Sequence, residues 1–230
     1  MGIIEKQASK STIYIYLGIV IGFLNTLLFP RYLSADQKGV LDAITSASFL
    51  LTSIFTLGLP LLTLRHFPKF RDKKNKNNGF LGFSLLVTAI GAIIGFIFLN
   101  YIFEHKISKD YQTLFYFSLL FFAFLFRLLF SNLDSIVRMT YNAALGVLTS
   151  NLILKLINLT SVVLYALGII DLKILFIIFV VGLCTPGLIS FIYILWTRNF
   201  GLSIPSFFKK VKELNLKRDL IKTSIFGFFG

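Results

Sequence analysis

Six long apolar stretches constrain this chain more than any other feature. They lie near residues 12–29, 40–64, 79–103, 111–133, 143–169 and 172–197. Crossing the hydrocarbon core of a bilayer, about 30 Å thick, takes about 20 helical residues, and each stretch has about that length. Charged residues make up only 14% of the chain, against about 25% in a typical soluble domain. The sequence therefore predicts an all-α integral membrane protein with six transmembrane helices.

Basic residues outside these stretches concentrate in alternate loops. If the N-terminus lies in the cytoplasm, the inner segments hold 16 Lys and Arg residues and the outer loops hold five. The inner set is Lys6, Lys10, six in "RHFPKFRDKKNKNN", Arg138 and seven from Arg198 to Lys222; the outer set is Arg31, Lys38, Lys106, Lys109 and Lys173. This is the positive-inside distribution. It predicts a cytoplasmic N-terminus and explains the net charge of +13 without a nucleic-acid partner.

The chain divides into three segments. Residues 1–197 hold the six predicted helices, and residues 198–222 form a basic segment that we expect to be cytoplasmic. At residues 223–230, "TSIFGFFG" begins another apolar run, which is far shorter than a membrane span. We therefore expect this run to be the truncated start of a seventh helix, and the chain to be the first part of a longer multi-pass protein.

Two of the predicted helices carry polar stripes. Asn151, Lys155 and Asn158 lie at positions i, i+4 and i+7, so they share one face of the fifth helix. The fourth helix repeats this arrangement with four residues, Arg127, Ser131, Asp134 and Arg138. Ionisable residues inside a membrane usually face a protein interior or a wet cavity. Both stripes therefore predict contact with something other than lipid.

Weaker polar stripes accompany them on the first two helices. The first helix aligns Ser11, Tyr14, Gly18, Gly22 and Asn25, and the second carries Asp42, Thr45, Ser46, Ser53 and Thr56. If these faces converge, they line a hydrated central cavity whose Lys and Arg side chains attract anions, phosphate above all. The predicted substrate-binding residues are Lys155, Arg127, Asn151, Asn158 and Asn25.

Structural interpretations of the same residues stay open. Arg127 is about 9 Å from the predicted cytoplasmic end of its helix, so its side chain can snorkel to the interface. Asp134 and Arg138 are predicted to form a local ion pair. His66 and His105 lie in opposite loops with no metal-ligand partner at a usable spacing. The sequence predicts no catalytic residues, no metal site and no cofactor.

One segment also resembles a known family. Residues 25–83 include "RYLS" at the end of the first helix, a polar turn closed by Gly39, "LGL" at 57–59, and "LRHFPKFRDK" opening the basic loop. This order of features resembles the polysaccharide-biosynthesis or Wzx-type flippases of the multidrug/oligosaccharidyl-lipid/polysaccharide exporter superfamily. The turn "SADQKG" departs from the Gly-Pro-Glu type sequence that such proteins often have.

The resemblance implies a specific function. Such flippases have two six-helix lobes around a central cavity and move lipid-linked sugars across the bacterial cytoplasmic membrane by alternating access. On this hypothesis residues 1–197 are the N-terminal lobe, 198–222 the inter-lobe linker, and the partners are an undecaprenyl-diphosphate-linked oligosaccharide, membrane lipids and a missing C-terminal lobe. The alternatives are a cation-coupled multidrug exporter, a membrane transferase, and a structural subunit whose stripes serve only helix packing.

Overall fold

The computed structural model of the chain describes residues 2–72, 74–106, 111–197 and 200–229. Its helices are α1 (Ile3–Tyr32), α2 (Ala35–Phe55), α3 (Leu59–Phe70), α4 (Phe80–Lys106), α5 (Tyr111–Met139), α6 (Ala143–Val147), α7 (Leu154–Ala166), α8 (Leu172–Trp196), α9 (Ile204–Glu213) and α10 (Lys217–Phe229). A 3-10 turn (Lys76–Gly79) precedes α4, and a π-helical segment (Leu148–Ile153) joins α6 to α7.

Six helical segments are long and apolar enough to span a membrane, which confirms the predicted multi-pass class. They are Glu5–Tyr32, Ala35–Phe55, Lys76–Glu104, Tyr111–Met139, Ala143–Ala166 and Leu172–Trp196. The first begins earlier than predicted because α1 extends through its charged start, where Glu5 accepts a hydrogen bond from the Gly2 N–H at 2.9 Å. Such a contact satisfies one of the backbone donors that a helix start leaves free.

The predicted second stretch, 40–64, is wrong as a single helix. The chain leaves the helical conformation at residues 56–58, where Leu57 and Gly58 have φ angles of 52° and 68°. A Cβ atom on Gly58 would overlap the Ser224 carbonyl of α10, so this position requires glycine for both its backbone angle and its close packing. The break separates α2 from α3, a short amphipathic helix that packs against α5 and α10.

Helices α5 and α8 form the centre of the bundle. They make the most extensive contact of any pair, with α2 and α4 packed on α5, and α7 on α8. Helix α1 lies at the edge and packs mainly on the π-helical segment and α7. Its outer face exposes large apolar side chains such as Tyr16, Val20 and Phe23. This exposure is what a lipid-facing edge helix requires.

The basic segment after α8 is folded onto the bundle. It contains α9, and α10 begins at Lys217 rather than at residue 223 as predicted. Phe207 of α9 is 1% exposed and stacks on Phe83 and Phe70, with ring centroids 4.1 and 4.9 Å away. We call this end of the molecule the basic end, defined by residues 65–76 and 204–222.

Several residues of the loop-charge argument lie outside what the structure describes. These are Lys73, Lys109 and Arg198, together with the side chains of His105 and Lys106.

Candidate functional site: a cavity with an unpaired arginine

A cavity of about 460 Å³ opens between α2, α3, α5, α7 and α8, and we call it the central cavity. The whole polar stripe of α5 lines it, from Arg127 through Ser131 and Asp134 to Arg138, together with Ser53 of α2 and Thr56 just after that helix. Also lining it are Phe49, Thr52, Pro60, Leu64, Phe130, Ser135, Ser150, Leu154, Leu183 and Pro186. Helical spacing on α5 therefore places one arginine at each end of the stripe, about 16 Å apart along the axis.

Arg127 carries the charge of the inner part of this cavity. Its side chain is half-buried, and its guanidinium lies over the Phe49 ring, 5.0 Å from the centroid. Among the described residues, no carboxylate pairs with it. A cation above an aromatic face is weakly stabilised but keeps its N–H donors free. Arg127 therefore presents unpaired donors to the cavity, and these are suited to bidentate contact with phosphate oxygens.

Asp134 and Arg138 form the ion pair predicted from their spacing. Arg138 Nε donates to Asp134 Oδ2 at 2.6 Å. The Asp134 side chain is 8% exposed and the Arg138 side chain 54% exposed, so the carboxylate is buried and the guanidinium reaches the cavity mouth. With this pair neutral overall, Arg127 leaves the cavity with a net charge of one positive unit.

Hydroxyl groups supply most of the remaining polar surface. Ser53, Ser135 and Ser150 donate to backbone carbonyls of their own helices, so their oxygens remain acceptors. Thr52 Oγ1 and Asp134 Oδ1 are buried without a hydrogen-bond partner among the described residues. Buried polar atoms are normally hydrogen-bonded. Asp134 Oδ1 faces Gly146 of α6, where an added Cβ would overlap it, and neither atom is exposed to the cavity.

Lys155 lies elsewhere, at the contact between α1 and α7. Its ammonium donates to the Gly18 carbonyl of α1 at 3.0 Å, and its side chain packs over Gly22, where a Cβ would come within 3.2 Å of Nζ. Lys155 does not line the central cavity. Its charge is therefore held by the backbone of a neighbouring helix, and α1 approaches closely enough for this only because glycines face it.

The three asparagines predicted to bind substrate lie on the Lys155 side of the molecule and do not line the central cavity. Asn151 packs through its backbone on Gly18, where an added Cβ would lie 2.5 Å from the Asn151 carbonyl. Asn25 Nδ2 donates to the Lys155 carbonyl at 3.0 Å. Asn25 and Asn158 also line a second cavity of about 190 Å³, together with the Lys38–Asp42 ion pair. The Oδ1 atom of each asparagine is buried, with no hydrogen-bond partner in the part of the chain that the structure describes.

The structure thus divides the predicted site in two. Arg127 lies in the central cavity, whereas Lys155, Asn151, Asn25 and Asn158 lie along the α1–α7 contact and the second cavity. Sequence reasoning missed Phe49, the aromatic partner of Arg127, because nothing in the spacing of α2 links residue 49 to α5. It also missed Ser150, which reaches the cavity from the π-helical segment.

Within the described ranges, no three His, Cys, Asp or Glu side chains lie close enough to hold a metal ion. No protein-family model, curated protein or solved structure matches this chain.

Proposed function

We propose that the chain is one six-helix lobe of a transporter that moves a lipid-linked oligosaccharide across the bacterial cytoplasmic membrane for envelope polysaccharide synthesis, with its N-terminus in the cytoplasm. The observation that carries the proposal is Arg127, an intramembrane guanidinium that faces the central cavity and has no carboxylate partner among the described residues. Burying an uncompensated charge costs free energy. An anionic ligand that pairs with Arg127 offsets that cost.

The chemistry of the two cavities fits the two parts of such a substrate. A diphosphate needs N–H donors and positive charge, which Arg127 provides in the central cavity. Sugar hydroxyls need polar partners, and Asn25, Thr26 and Asp42 line the second cavity. A second six-helix lobe would close the opposite side and permit alternating access between the two membrane faces.

A cation-coupled drug exporter has less support. Such a protein needs a free carboxylate to attract cationic drugs. Both acidic residues that line the cavities are paired, Asp42 with Lys38 at 2.5 Å and Asp134 with Arg138 at 2.6 Å. The free charge is positive, and this favours an anionic substrate.

Loss of the gene tests the function directly. We expect a deletion strain to accumulate lipid-linked oligosaccharide in the membrane and to lose surface polysaccharide, with rescue by the wild-type gene and not by Arg127→Gln at equal membrane abundance. Val20→Leu on the lipid-facing side of α1 is the matched control and should rescue fully. Normal surface polysaccharide in the deletion strain would overturn the proposal.

A further inference from the structure

A second large apolar space lies at the basic end, between α3, α4, α9 and α10, and we call it the end groove. Its volume is about 720 Å³, within the range of pockets that hold small ligands, about 300–1,000 Å³. Leu62, Phe83, Phe208, Ile221 and Ile225 line its walls. The groove shares no lining residue with the central cavity, so the proposed substrate site does not account for it.

The groove has a well-packed wall because α9 is held against the bundle. Phe207 anchors α9 from below in the aromatic cluster at the start of α4. Ahead of α9, the Gly201 N–H donates to the Lys76 carbonyl at 2.9 Å. On the same helix Phe208 remains 56% exposed and turns toward the groove. Helix α9 therefore packs on one side and offers apolar surface on the other.

Helix α10 forms one wall of the groove, and part of this wall is apolar and exposed. Its Leu220 is buried, whereas Ile221 and Ile225 are 53% and 52% exposed. Phe208, Ile221 and Ile225 therefore form an exposed apolar surface along the groove.

Two lysines mark one end of the groove. Lys212 lies in the last turn of α9 and Lys217 begins α10, and both line the groove together with Asn215 in the turn between the helices. Neither lysine forms an ion pair among the described residues, whereas Lys210 on the same helix pairs with Glu213 at 3.2 Å. The groove thus joins an apolar lining to two lysines without an ion-pair partner among the described residues.

We propose that the end groove binds an anionic phospholipid of the membrane, with an acyl chain along Phe83, Phe208 and Ile225 and the phosphate between Lys212 and Lys217. Each methylene of the chain that leaves water stabilises binding, and basic residues near a membrane surface attract anionic headgroups. A free phosphate would leave the apolar walls unused. A neutral lipid would leave both lysines unpaired.

Native mass spectrometry of the purified full chain tests this site. Protein in detergent is mixed with phosphatidylglycerol or with phosphatidylcholine of the same acyl composition. We expect phosphatidylglycerol to be retained at least tenfold better. The double variant Lys212→Gln/Lys217→Gln should lose that preference, since each lysine near an anionic surface contributes about 1 kcal/mol, or roughly fivefold.

The matched control is Lys209→Gln/Lys210→Gln, which removes the same amount of charge, from α9 alone. These two lysines line a small separate pocket near Asn75 and Asn78, away from the end groove. The control should change lipid retention by less than twofold. Equal losses in both double variants would show diffuse attraction and overturn the site.

The apolar wall has its own test. Ile221→Trp fills the groove while leaving both lysines in place, so we expect it to reduce phosphatidylglycerol retention as strongly as the lysine pair does. Unchanged retention in this variant would overturn placement of the acyl chain. A wild-type chain that carries no lipid and appears as a dimer would assign the groove to a second copy and contradict the proposal.

Discussion

The two cations inside the helical bundle, Arg127 and Lys155, have opposite surroundings. Lys155 donates to the Gly18 carbonyl and packs against Gly22, so the backbone of α1 already binds its ammonium group. Arg127 rests on the Phe49 ring and has no carboxylate partner among the described residues. Intramembrane charge alone therefore does not identify a binding residue. What distinguishes the two positions is whether the fold has provided a partner.

Replacing a glycine on the face of α1 that packs against Lys155 should cause the largest loss of stability. It would also remove the backbone partner that distinguishes Lys155 from Arg127. In Gly18→Leu, the new side chain must displace the Asn151 carbonyl, which lies 2.5 Å from an ideal Cβ position. Overpacking typically costs about 1–3 kcal/mol, and we expect the upper end here because a backbone atom is displaced. The measurement is the unfolding temperature in detergent, combined with cysteine cross-linking between α1 and α7.

The control for Gly18→Leu is Val20→Leu, on the exposed side of the same helix. It should leave both the unfolding temperature and the cross-link unchanged. If Gly18→Leu is equally silent, then α1 does not pack on α7 as described, and Lys155 loses its backbone partner.

Comparing the two cavity arginines sharpens the contrast further. Arg138→Gln leaves the buried Asp134 carboxylate without its partner, and an orphaned buried charge is destabilising. We expect a loss of about 1–3 kcal/mol. Arg127→Gln orphans no acid and should cost less than about 0.5 kcal/mol. Unfolding temperatures of the two variants measure this, and equal destabilisation by both would contradict the assignment of Arg127 as unpaired.

The sequence was sufficient for the class of fold because membrane spans depend on length and hydropathy. Periodicity also placed Arg127, Ser131, Asp134 and Arg138 on one face, and all four line one cavity. It failed at Leu57 and Gly58, where two left-handed residues interrupt an otherwise apolar run.

Periodicity also could not decide what covers each face. The same signal marked Arg127 and Lys155, but Gly18 and Gly22 close α1 over the lysine, and that contact is set by tertiary packing. Helix α9 was missed because its charges suggested a linker, although Phe207 and Val211 share a buried face at i and i+4. The exposed charges of α9 concealed that amphipathic spacing.

Lowering the pH should have the smallest effect on stability. It tests His66, a polar residue that lies apart from both Arg127 and Lys155. His66 Nε2 lies 3.0 Å from Thr223 Oγ1, which joins α3 to α10. Burial lowers the pKa of His66 below its ordinary 6.5, and Lys69 and Arg65 lower it further, against an opposing effect of Asp219. Because the unfolded chain binds the proton more readily, stability is full above about pH 6.5 and is lost as the pH falls toward the folded-state pKa.

We expect a modest drop in unfolding temperature between pH 7 and pH 5, reduced in His66→Gln. The ratio of the dissociation constants of the Arg127→Gln and Lys155→Gln variants for the proposed substrate should not change between pH 7 and pH 5. A pH dependence that persists in full in His66→Gln would assign it to another group.

Binding of undecaprenyl diphosphate to the purified chain tests the central claim most directly. Dissociation constants are measured in detergent for the wild type, Arg127→Gln and Lys155→Gln, with undecaprenol as the uncharged control ligand. Since a hydrogen bond to a charged group contributes about 1.5–3 kcal/mol, Arg127→Gln should weaken binding at least tenfold. Lys155→Gln retains a donor for the Gly18 carbonyl and should change the constant less than about threefold. The reverse order, with Lys155→Gln losing binding and Arg127→Gln retaining it, would contradict the account.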